Sequence, residues 1–175
     1  MSDIAPEVVT GTPSAGEQRP VAVIDVDGVV ADVRHRVPHL ERRPRDWDAF
    51  FAAAGDDTPL AVGVSRVQAL AADHDIVWLT GRPEHLRTTT LDWFARHDLP
   101  SGRLIMRRGN DRRPAKIVKR AELRRLAAGR KVDIVIDDDP AVVSALAADG
   151  WPVELADWIP YAPEMGTAQE ESGRT

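Results

Sequence analysis

Asp25 and Asp27 stand one residue apart where the apolar run Val21-Ala22-Val23-Ile24 ends, and Gly28 follows them. Side chains two apart on a strand share a face. The run therefore predicts two carboxylates emerging together from a strand's carboxyl end, before a glycine that lets the backbone turn. Carboxylates avoid apolar surroundings unless something compensates them. A hard cation does so, and Mg²⁺ is typically held by one or two carboxylates plus substrate phosphate oxygens. Three more groups follow other strand-like runs: Thr80-Gly81-Arg82, Asp137-Asp138-Asp139, and the lysines Lys116 and Lys119 of a basic helix. Singly, each has a plain structural use. Thr80 and Asp139 suit helix caps, and a lone lysine is usually solvated. Together they form the set that phosphoryl transfer needs. One carboxylate attacks phosphorus, a second acid protonates the leaving oxygen, a cation neutralises the equatorial oxygens, and hydroxyl and ammonium donors hold them.

These groups must be carried by strands that end side by side. Apolar runs at 21–26, 75–79, 103–106, 132–136 and 152–155 read as strands, with helical patterns between them. Val64, Val67, Leu70 and Ala71 have helical spacing, as do Leu86, Trp93 and Phe94 in a helix expected to start at Pro83. Further helices are expected from Pro114 to near Gly129 and, capped by Asp139, from Pro140 to near Gly150. The alternation predicts an α/β, Rossmann-like fold: a parallel sheet of about five strands flanked by helices. Ligands of such sheets bind outside the carboxyl ends of the strands. Residues 33–60 interrupt the rhythm as a small cap-like insertion, with a short helix bearing Trp47, Phe50, Phe51 and Ala54. These aromatics suit packing of the insertion or stacking on a base. The domain is expected over 20–160, between a disordered leader (1–19) and a disordered tail (161–175).

With DVDGVV, LTGR, a helix lysine and VIDDDP in this order, residues 20–156 resemble the haloacid dehalogenase superfamily. The resemblance implies that Asp25 is the nucleophile forming an aspartyl-phosphate. Asp27 would be the general acid and then the base. Thr80 and the lysine would bind the phosphoryl group. Asp137 and Asp138 would complete a Mg²⁺ site with Asp25 and the backbone carbonyl of Asp27. An aspartate at the second position marks phosphatases and phosphomutases of the superfamily, and no large second domain favours a mutase. Within it, MRRGNDRRPAKIVKRAEL is similar to the 3′-phosphatase domain of phage-type polynucleotide kinase-phosphatases. Ungapped alignment with that family places the essential lysine at Lys119 rather than Lys116, and essential arginines at Arg36 and Arg82. One departure is Ala115, where the family often has an acid. His35, beside Arg36, is a further candidate for the crevice, as is Gly81 beside Thr80.

The chain has 175 residues, no cysteine and a net charge of −5. Disulfides, thiolate catalysis and cysteine zinc sites are excluded, and a reducing cytoplasm fits. No apolar run is long enough to span a membrane. The charge is uneven. Residues 103–131 hold 12 of the 23 Lys and Arg against two acids, Asp111 and Glu122, and Arg34, Arg36, Arg42, Arg43 and Arg45 form a second cluster. Such segments attract phosphate esters and polyanions. The expected activity is Mg²⁺-dependent release of a 3′-phosphate from DNA or RNA ends or nucleotides, beside a separate kinase or ligase. A phosphatase of a small metabolite, such as a nucleoside 5′-monophosphate, is the enzymatic alternative. A phosphoacceptor signalling domain has a different chain order, since its lysine comes last. A pure nucleic-acid binder leaves the carboxylates unexplained. A kinase is rejected, because Gly11-Thr12-Pro13-Ser14-Ala15-Gly16 continues with Glu17-Gln18 where a phosphate loop needs Lys and Ser or Thr.

Overall fold

The computed structural model describes residues 18–172. The expected leader and the Gly11–Gly16 segment lie almost wholly outside them. In chain order the elements are β1 (Val21–Ile24), β2 (Ala31–Asp32), α1 (Pro38–Glu41), α2 (Trp47–Ala52), β3 (Thr58–Pro59), α3 (Ala61–Leu70), β4 (Asp75–Pro83), α4 (Arg87–Arg96), β5 (Arg103–Arg107), α5 (Ala115–Ala127), β6 (Val132–Asp137), α6 (Pro140–Ala148), β7 (Val153–Leu155) and α7 (Pro163–Ser172). Five strands form one parallel sheet in the order β5-β4-β1-β6-β7. The strand order reverses direction at β1, which puts Asp25 at the crevice where such sheets bind ligands.

Strand periodicity divides the core into two layers. Ala22, Ile24, Ile76, Trp78, Leu104 and Ile136 face Val67 and Leu70 of α3 and Trp93 and Phe94 of α4. Val21, Val23, Val77, Leu79 and Val135 face Leu123 and Leu126 of α5 and Val142 and Leu146 of α6. Both faces of the sheet are thus covered, as near-continuous apolar strands require.

The insertion is closed at its base by an antiparallel ribbon in which Ala31 pairs with Pro59 and Asp32 with Thr58. Above it, Trp47, Phe50 and Phe51 of α2 pack on one another. Asp46 caps this helix, accepting from the Ala49 N–H at 3.0 Å. Asp139 caps α6 in the same way, accepting from Ala141 at 2.8 Å.

Two expectations are corrected. Pro83 does not open a helix: it ends the extended β4, a 3-10 turn covers Glu84–Leu86, and α4 begins at Arg87. The backbone must first carry Thr80, Gly81 and Arg82 past the sheet's edge, so helix formation is delayed. The tail is not disordered over 163–172 either. It forms α7, which buries Met165 and Ala168 in the core and bonds Arg45 of the insertion through Glu171 at 2.8 Å. Two apolar residues three apart on a polar helix suffice to dock it.

Candidate active site

Asp25 continues β1, its N–H donating to the Ile136 carbonyl at 3.0 Å. Its carboxylate splits its contacts: one oxygen accepts from the Val26 N–H at 2.7 Å, the other from Lys119 Nζ at 2.7 Å. The same Lys119 Nζ lies 2.5 Å from an oxygen of Asp137, at the end of β6. Residues 94 and 18 positions away from Lys119 thus meet on one ammonium. Lys119, rather than Lys116 one turn earlier, is the lysine that bonds both carboxylates. Ala115, where the related family often has an acid, is instead buried in the α5 side of the core. Asp25 and Asp137 orient the ammonium without it.

Asp138 completes the cluster. One ligand oxygen from each of Asp25, Asp137 and Asp138 lies within 4.8 Å of the others. The turn at Gly28 makes this possible. Gly28 has φ +74°, and a Cβ there would sit 2.0 Å from Asp138 Oδ2. Any side chain would displace the carboxylate as well as strain the backbone. Three acids, Asp25 and Asp137 buried and Asp138 half-buried, share one lysine, so the cluster keeps excess negative charge. Burial, opposed by Lys119 and reinforced by Asp137, raises the Asp25 carboxyl to about 7. Burial together with Asp25 and Asp137 pushes Asp138 well above its usual range. Burial alone would lower the Lys119 ammonium, but Asp137 and Asp25 reverse this and raise it. Hard oxygen donors at this spacing with uncompensated charge fit a divalent cation.

The Asp27 side chain does not join that cluster. Its Oδ1 accepts from Arg36 Nη2 at 2.8 Å and from Arg82 Nε and Nη2 at 2.9 and 2.6 Å. Burial acts to raise this carboxyl, but Arg36 and Arg82 outweigh it and hold it down at about 2. Both arginines are fully buried. They are tied to a second acid, Asp57, at 2.8 and 2.9 Å from Arg36 and 2.6 Å from Arg82. His35 Nε2 also lies 2.8 Å from Asp57 Oδ1, so His35 reaches the crevice through this acid. Phe50 stacks under the Arg36 guanidinium at 4.4 Å, and Trp93 of α4 donates to the Asp57 carbonyl at 2.8 Å.

Asp57 is the residue that sequence reasoning misses. Nothing distinguishes it from Asp56 beside it. The available signal is indirect: two arginines destined for burial beside a single aspartate require a second acid. Thr80 is buried at the end of β4, where its Oγ1 accepts from the Arg82 N–H at 3.2 Å. Gly81, between them, is half-buried.

This sheet order, with the acid, hydroxyl and lysine set at its carboxyl end, defines a phosphatase of the haloacid dehalogenase type, a phosphoric monoester hydrolase. More narrowly, residues 19–153 match the polynucleotide kinase PNKP phosphatase domain, and the chain belongs to that family. No curated protein matches it in sequence. Among solved structures it is similar to a chain of the Pnkp1/Rnl/Hen1 RNA repair complex (TM-score 0.67, 20% identity), covering 86% of this chain and 48% of that one. The chain therefore spans about half the length of that relative. The class C acid phosphatase from Bacillus anthracis follows at TM-score 0.58 and 14% identity, with 82% and 69% covered. A haloacid dehalogenase-like hydrolase from Streptococcus pneumoniae shares the fold at TM-score 0.53 and 10% identity, over 87% and 92% of the two chains. No helix among the described residues is long and apolar enough to cross a membrane.

Proposed function

We propose that this domain removes the 3′-phosphate from nucleic-acid ends, with Mg²⁺, through an aspartyl-phosphate on Asp25. The observation that carries the reading is the convergence of Asp25, Asp137 and Asp138 within 4.8 Å, with Lys119 bridging two of them. Asp25, Asp137 and Asp138 would hold the ion, which when bound neutralises phosphoryl oxygens and relieves repulsion between the carboxylates and the incoming anion. An Asp25 oxygen attacks phosphorus while the ester P–O bond breaks, and Asp27 gives its proton to the departing 3′ oxygen. Water then attacks phosphorus, Asp27 takes a proton from it, and the bond to Asp25 breaks. Lys119 and Thr80 hold the phosphoryl oxygens in both steps.

Arg36 and Arg82 suit Asp27 to the second step, since they stabilise its carboxylate. For the first step, a phosphate anion arriving beside Asp27 raises its affinity for a proton. The 3′-end substrate is supported by the family match and by the basic segment from Arg103 to Lys131. The product, a 3′-hydroxyl, is what a strand-joining enzyme consumes, which makes a separate kinase or ligase the natural companion.

Asp25→Asn tests the reading. Phosphate release from a 3′-phosphorylated oligonucleotide with Mg²⁺ should fall at least about a thousandfold, because the nucleophile is gone. Retention of most of the activity would exclude covalent catalysis by Asp25.

A further inference from the structure

Most arginines in the β5–α5 region are matched by acids. Arg113 pairs with Asp111, Arg125 with Glu122, and Arg120 and Arg124 with Asp149. Arg103, Arg108 and Arg112 are the exceptions: exposed, with no ion pair among the described residues. They are not scattered. Arg103 and Arg108 line a trough of about 650 Å³ that reaches Thr80 along β5. Arg108 and Arg112 line a smaller cavity of about 140 Å³, and Arg107 and Arg108 belong to both.

The insertion contributes Trp47, Asp48 and Phe51 to the lining of the smaller cavity, and Pro83 and His85 complete it. Trp47 and Phe51 stack at 5.7 Å with 28° between their planes, and His85 stands edge-on to Phe51 at 6.0 Å. Arg107, Arg108 and Arg112 outnumber Asp48, the one acid lining this cavity, and aromatic rings beside a net positive charge match a ligand with a π face and an adjoining phosphodiester.

We infer that the cavity between α2 and the β5–α5 loop is a nucleobase subsite, with Arg108 and Arg112 binding the adjoining phosphodiester of a single strand. This rests on the 3′-phosphatase reading and deepens it: the domain recognises a polynucleotide end through its own insertion. Trp47 and Phe51, which pack the insertion, then also select substrates.

Two measurements on the full chain decide it. Fluorescence polarisation with 3′-phosphorylated single-stranded DNA and RNA probes, in the Asp25→Asn background, reads binding without turnover. Adding Arg108→Glu and Arg112→Glu together should weaken binding at least about tenfold and flatten its salt dependence, each phosphate contact carrying a slope of about 0.7. Phe51→Leu, which keeps an apolar side chain there, should erase a preference of about tenfold for a normal over an abasic nucleotide near the 3′ end. In turnover, the arginine variant should lower the ratio of oligonucleotide to aryl phosphate kcat/KM by a similar factor. Unchanged binding, salt slope and ratio would overturn the subsite. Absence of phosphate release from every ester would overturn the phosphatase reading instead, while the polarisation result still decides the subsite.

Discussion

Two buried charge clusters sit side by side at the carboxyl end of the sheet, and they are built on opposite principles. In one, Asp27 and Asp57 face Arg36 and Arg82, two acids against two guanidinium groups, joined by six hydrogen bonds of 2.6–2.9 Å. In the other, Asp25, Asp137 and Asp138 face Lys119 alone. The first is electrically complete and fixes the geometry of Asp27. The second is short of positive charge and, in the proposed reaction, holds the attacking oxygen. One turn of chain, Asp25 to Gly28, links them, so the rigid cluster orients the reactive one.

If completeness is what distinguishes the first cluster, removing Asp57 should have the largest effect. Asp57→Asn leaves two fully buried arginines with one acid between them. Breaking a buried pair in this way costs roughly 3–5 kcal/mol, and urea unfolding would read it. Arg36 and Arg82 would lose their anchor, so Asp27 would shift, and kcat should drop about a hundredfold for a displacement on the order of 1 Å. An Asp57→Asn protein as stable as wild type would erase the distinction between the clusters.

The second cluster predicts the opposite sign. Asp138 is a half-buried carboxylate beside two others, so Asp138→Asn should stabilise the metal-free protein. The folded-state carboxyl is raised, so Asp138 costs stability increasingly as pH climbs above its unfolded value. The gain from Asp138→Asn should therefore be larger at pH 8 than at pH 5. Mg²⁺ at about a hundred times its Kd should stabilise wild type by about 2.7 kcal/mol and should stabilise the variant far less. Thermal unfolding with and without EDTA measures both effects. A variant destabilised without metal would mean that the cluster is already compensated.

The two clusters were unequally legible in the sequence. Asp25, Asp137, Asp138 and Thr80 each follow an apolar strand, so strand periodicity alone sends them to one end of the sheet. Lys119 needed the family resemblance, because on a basic helix its type and spacing match those of Lys116. Arg36 and Arg82 came from the same source, and Asp57 from neither. It sits inside the insertion, in the turn just before β3, where no period constrains side-chain direction, and only the three-dimensional demand of buried guanidinium groups selects it. The same limit explains the tail. Met165 and Ala168 give α7 too narrow an apolar stripe to announce a docked helix, and the surface that receives them is assembled from distant residues.

A third charge cluster, at the opposite end of the sheet, sharpens the comparison because it is shallow but balanced, with His74 and Lys131 facing Asp73 and Asp133. His74 Nδ1 lies 2.5 Å from Asp73, and its Nε2 lies 3.1 Å from Asp133 at the start of β6. Partial burial works against the imidazolium, but Asp133 and Asp73 outweigh it and raise the pKa. A raised histidine adds stability that is complete below its unfolded value near 6.5 and is lost as pH rises through the higher folded value. His74→Gln should therefore destabilise the protein at pH 5.5 and have little effect at pH 9. Both acids are open to solvent (side chains 76% and 38% exposed), so the loss should stay below about 1 kcal/mol. Unfolding midpoints of the two proteins across that pH range measure it. A loss as large as that of Asp57→Asn would show that charge balance, rather than burial, sets what such a cluster contributes.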